Sequence, residues 1–139
     1  MKLLKQPILS IILLLVFGCS DEQISTQEQE AKYLEELLSE IEALASSVEC
    51  ENPEEWTFTS VGNKPCGGPS GFIAYSLNID TETFLQKVEE HKVAQEAFNK
   101  KWGLFSDCSI PPTPKGVICE NGEAILVFGD ESPTIKQIP

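Results

Sequence analysis

Cysteine occupies positions 19, 50, 66, 108 and 119 of the chain. Five thiols cannot all pair with one another, so at least one has a different fate. A disulfide needs its two Cα atoms within about 7 Å. Any pairing among the last four therefore restricts the fold to topologies in which distant positions meet. Cys19 stands apart from that group. It ends an apolar run, "IILLLVFGC", and acidic residues follow at once.

Lys2 and Lys5 make a short positive start, and "PILSIILLLVFG" adds about a dozen mostly apolar residues. A bilayer-spanning helix needs roughly 20. A charged start, a shorter apolar run and a small residue before the cleavage point (here Gly18) are the parts of a secretory signal peptide. "VFGC", Val16 to Cys19, resembles the lipobox of bacterial lipoproteins: an aliphatic residue, a variable one, Gly or Ala, then the cysteine that is lipidated. The resemblance implies that residues 1–18 are removed and that Cys19 becomes the mature N-terminus. It also implies that Cys19 carries diacylglycerol, with a third acyl chain such as palmitate on its amine. Each buried CH2 contributes ~0.8 kcal/mol and a single chain anchors only marginally, so two or three chains make a lasting anchor. The first expected partner is thus the lipid bilayer, through acylated Cys19. Asp21 and Glu22, just after Ser20, resemble the acidic patch that marks surface export in some Gram-negative lineages. The implied location is the bacterial cell envelope, at the outer membrane, facing the periplasm or the outside.

An exported chain meets an oxidising compartment, where disulfides persist. Cys50, Cys66, Cys108 and Cys119 allow three connectivities, and sequence leaves all three open. Cys50–Cys66 with Cys108–Cys119 is the favoured arrangement, because both loops are short and each holds turn residues. A loop of about fifteen residues would contribute ~3 kcal/mol on the chain-entropy estimate. Zinc fits poorly, since there is no C-x-x-C pair and the sole histidine, His91, lies away from the cysteines. No metal or cofactor is expected.

Without residues 1–18 the chain keeps 22 acids against 8 lysines, a net charge near −14, and it has no arginine. Phosphate-gripping proteins use Arg forks or Lys/Arg clusters, so nucleic acid is excluded as a partner. The charge is uneven. Residues 21–55 hold twelve acids and one lysine, Lys32, whereas residues 56–139 hold ten acids and seven lysines. This divides the chain into a signal peptide (1–18), an acidic tether (19–27), one disulfide-stabilised domain (28–129) and an irregular tail (130–139).

Within the domain, Ser25 with Glu28 has capping-box spacing, and Leu34, Leu37, Leu38, Ile41, Leu44 and Val48 then recur at three and four residues. That predicts an amphipathic helix. "WTFTSV" and "FIAYSL" read as strands around the turn-rich "GNKPCGGPSG". A long helix follows, with Asp80 as N-cap, Ile79 and Phe84 at staple spacing, and a face of Phe84, Val88, His91, Ala94, Phe98 and Trp102. Gly103 suits its stop. "LFSDCSI", "VICE" and "AILVF" read as three further strands, the last two joined at Asn121-Gly122, a hairpin signal. The expected fold class is α+β: a small antiparallel sheet with the long helix packed on one face, preceded by the acidic helix.

No assembled catalytic set is visible. "GPSGF" has Gly71 directly after Ser70, which breaks the G-x-S-x-G register of a hydrolase elbow. His91 reads as a hydrogen-bonded residue at the boundary of the long helix's apolar face. Two loops are the candidate binding elements. Gly67, Gly68, Pro69 and Ser70 form one, with Phe72 and Tyr75 nearby. Ser109, Ile110, Pro111 and Pro112 belong to the other, stiffened by proline, which lowers the entropy lost on binding. "SIPP" resembles four residues of the reactive loop of Bowman–Birk protease inhibitors, but Cys108 stands where that family has its specificity residue. The pattern W…G-x-K-x-C-G-G-P-x-G-[FY]-x-A-Y-S…W-G-x-x-S-D-C, from Trp56 to Cys108, resembles small uncharacterised bacterial lipoproteins, which implies no reaction. The expectation is a membrane-anchored, non-enzymatic binding or accessory protein with an envelope or extracellular protein partner. The alternative is an inhibitor of a lysozyme or protease.

Overall fold

The computed structural model describes residues 26–129. The expected signal peptide, Cys19, most of the expected tether and residues 130–139 lie outside the described residues. Helix α1 spans Gln27–Ala45. Its N-cap is Thr26, one residue later than expected. The Thr26 hydroxyl accepts from Gln29 N–H while the Gln29 side chain accepts from Thr26 N–H. Leu34, Leu37, Ile41 and Ala45 form the buried stripe. Val48, expected on that stripe, lies past the helix end and is exposed.

A short 3-10 turn, Pro53–Glu55, leads into β1 (Trp56–Val61). It pairs antiparallel with β2 (Gly71–Ser76), Phe58 opposite Ala74. Helix α2 (Thr81–Trp102) keeps both expected ends. The Asp80 carboxylate accepts from Thr83 N–H at 3.1 Å and from its hydroxyl at 2.7 Å, and these bonds hold its pKa below the usual range. Gly103 ends the helix in a left-handed conformation. β3 (Gly116–Glu120) and β4 (Glu123–Val127) form the second hairpin, turning at Asn121-Gly122.

The fold is α+β, with two two-stranded antiparallel sheets in place of a single one. "LFSDCSI" is not a strand, and no regular element covers residues 104–115. The two hairpins touch through β1 with β3 and β2 with β4. The helices run antiparallel. Trp102 Nε1–H donates to Glu30 at 2.8 Å at one end, and Lys87 pairs with Glu40 at 2.6 Å towards the other. The core joins Ile41, Ala45, Tyr75, Phe84 and Val88, with Ile79 packed against it as the staple predicts. The Tyr75 and Phe84 rings lie 4.6 Å apart.

The disulfide arrangement corrects the sequence reading. Cys50 pairs with Cys119 and Cys66 with Cys108, at Cα separations of 5.2 and 5.5 Å. Backbone geometry gives the reason. Cys50 N–H donates to Gly122 O at 2.8 Å, which lays Cys50 beside the β3–β4 turn and hence beside Cys119. The β1–β2 turn carries Cys66 to the other end of the domain, next to the segment leaving α2.

Candidate functional site

The candidate loops, far apart in sequence, meet in space. Loop 62–70 joins β1 to β2, and its base is held by α2. Asn63 N–H donates to Gln95 Oε1 at 2.6 Å, and the buried Asn99 donates through Nδ2 to Asn63 O at 2.8 Å. Gly62 sits at φ +72 where a Cβ would lie 2.6 Å from Gln95 Oε1 and 2.8 Å from Ser70 Oγ, so only glycine fits. At the tip, Gly67 N–H donates to Lys64 O and Lys64 N–H to Gly68 O. Ser70 touches Gln95 Oε1 at 3.3 Å, a structural contact with no base beside it.

Segment 104–115 is stapled to that loop. Besides the Cys66–Cys108 bond, the Lys64 ammonium donates to Asp107 Oδ1 at 2.9 Å and to Ser109 O at 2.8 Å. The Ser109 hydroxyl also donates to Asp107, and these contacts hold the Asp107 pKa below the usual carboxylate range. Ser109, Ile110 and Pro112 are exposed and Pro111 is half-buried. Phe105 and Ile110 are 97% and 80% exposed, the two most exposed large apolar side chains among the described residues.

Other expected neighbours lie elsewhere. Tyr75 is in the core, not at the loop. His91 is buried on α2, not at a boundary; its Nδ1 has no hydrogen-bond partner, and burial lowers its pKa. Among the described residues no group of three or more His, Cys, Asp or Glu could hold a metal ion, and no helix is long and apolar enough to cross a membrane.

The sequence reading missed a second feature. An open groove of about 760 Å³ lies where the end of α1 meets the two hairpins. Val48, Trp56, Phe72, Ala74, Ile125 and Phe128 supply its apolar lining, and Glu42, Glu49 and Glu123 also border it. Val48, Ile125 and Phe128 are exposed. The signal was in "AILVF": an unbroken apolar run on a strand puts apolar side chains on both faces. One hairpin partner cannot cover both.

Comparison with protein-family models, curated proteins and solved structures returns no match. Function therefore rests on the residues themselves.

Proposed function

We propose that this chain is a lipoprotein of the bacterial envelope, anchored through acylated Cys19, and that its domain is a non-enzymatic binding module. The observation that carries the binding role is the groove. Exposed Val48, Ile125 and Phe128 line a concave apolar surface bordered by three glutamates and no lysine. Uncovered apolar surface of this kind is where soluble domains bind partners. The glutamates select the occupant: an apolar segment carrying lysine or arginine, from a protein of the envelope or its surroundings. Complementary charge speeds encounter and rejects acidic competitors. The anchor reading is supported by the "VFGC" motif and by its place after a short apolar run.

Cross-linking in intact cells, followed by capture of the tagged full chain, tests the binding role. The expected result is a specific protein lost from both the Ile125→Asp and the Glu49→Lys/Glu123→Lys chains. A partner retained by both would place the contact away from the groove. Recovery of a lysozyme or protease that the protein inhibits would turn the reading towards the inhibitor. For the anchor, Cys19→Ala is expected to leave an unlipidated precursor, and normal processing with membrane retention would refute it.

A further inference from the structure

We propose that Phe105 and Ile110 form an apolar knob that inserts into the membrane interface beside the lipid anchor and orients the domain on the bilayer. The proposal rests on the reading of Cys19 as acylated, and it adds a second attachment point.

Three observations carry it. The first is that these side chains are exposed and yet held in place. Leu104 N–H donates to Asn99 O at 3.0 Å, Cys108 is bonded to Cys66, and Lys64 grips Asp107 and Ser109. The segment cannot easily fold back to hide its apolar tips, and Pro111 and Pro112 stiffen it further.

The second is position. The Trp102–Glu30 bond sets the end of α2 against the first turn of α1. Phe105 follows Trp102 by three residues, at most about 11 Å of chain. Thr26, the N-cap of α1, follows Cys19 by seven residues, at most about 25 Å. The acyl chains therefore hold a bilayer within reach of the knob. The groove lies at the opposite end of α1, whose 19 residues extend about 28 Å.

The third is charge. Lys64, Lys100 and Lys101 lie towards the knob end, with Glu28, Glu30, Glu96 and Asp107, so acids there are partly offset by lysines. Glu42, Glu49 and Glu123 lie at the groove end. An anionic headgroup surface therefore repels the groove end, whose lining has no lysine, more strongly than the knob end. An inserted Phe or Ile side chain strengthens membrane attachment by roughly tenfold or more.

The test places a photoreactive diazirine analogue of phenylalanine at position 105 of the full chain in intact bacteria, and at Ile125 in a parallel strain. Position 105 is exposed enough to accept it, and an intact Cys66–Cys108 peptide confirms folding. The N-terminal peptide of the same sample reports acylation of Cys19. The expected result is phospholipid adducts at 105, none at 125, and an acylated Cys19. Protein adducts at 105 would assign the knob to a protein partner and overturn the proposal. Lipid at both positions, or no adduct at 105 beside an acylated Cys19, would also overturn it while leaving the anchor standing. An unmodified Cys19 would remove the anchor and the proposal together.

Discussion

Replacing Cys66 and Cys108 together by serine removes the staple between the two exposed loops. Both cysteines are exposed, so little buried surface is lost and the effect is chiefly on the unfolded chain. The bond closes a sequence separation of 42 residues, which corresponds to about 4 kcal/mol on the chain-entropy estimate. Total stabilities of small domains run about 5–15 kcal/mol, so this is a large share. The midpoint of thermal unfolding should fall by roughly 15 °C or more. The companion pair, Cys50→Ser with Cys119→Ser, should cost more. Its separation is 69 residues, about 4.4 kcal/mol, and Cys50 is buried besides. Urea unfolding of the Cys19→Ala chain, monitored by far-ultraviolet circular dichroism, gives each value. Non-reducing peptide mapping gives the connectivity. A loss below about 1 kcal/mol for the first pair, or a peptide joining Cys50 to Cys66, would refute the reasoning.

Three further outcomes are expected. Gly62→Ala should destabilise by about 1–3 kcal/mol in the same urea assay, because a left-handed backbone and a blocked Cβ position coincide there; no change would mean the loop base yields. Phe84→Ala should cost about 3–5 kcal/mol, since the ring is fully buried against Tyr75 and Ile41. His91 should make the fold sensitive to mild acid. Its folded pKa is below the ordinary value of about 6.5, so below that pH the unfolded chain binds a proton that the folded one resists. Stability then falls as pH drops below about 6.5 towards the folded pKa, and His91→Leu should flatten that slope, read from urea unfolding at a series of pH values below about 6.5.

The helices were largely legible in sequence because their signals are local. Asp80 and Gly103 mark α2 correctly, and the Leu34–Leu37–Ile41 spacing gives the buried face of α1. Asn121-Gly122 placed its hairpin for the same reason. What failed depends on contacts between distant parts of the chain. "LFSDCSI" has strand-like composition, but Cys108 ties it to Cys66 and Lys64 occupies the Ser109 carbonyl. The favoured disulfides followed short loops, whereas the fold joins the ends that the hairpins bring together. Both candidate loops could be picked out by their glycines and prolines, but their meeting at one end was not foreseen. The groove went unseen because it is assembled from α1, β1, β2 and β4 together.

The two disulfides are nested: Cys66–Cys108 lies wholly inside the span of Cys50–Cys119. A chain that enters an oxidising compartment N-terminus first presents Cys50, then Cys66, and these neighbours are not partners. Cys108 arrives third and Cys119 last. A bond formed as soon as two thiols were present would join Cys50 to Cys66 and would have to be exchanged before Cys119 could take its place. Acylation of Cys19 ahead of them would remove a third early thiol from that competition. On the proposed export route, efficient maturation of this small domain would call for delayed oxidation or for a disulfide-exchanging helper in the compartment where it folds.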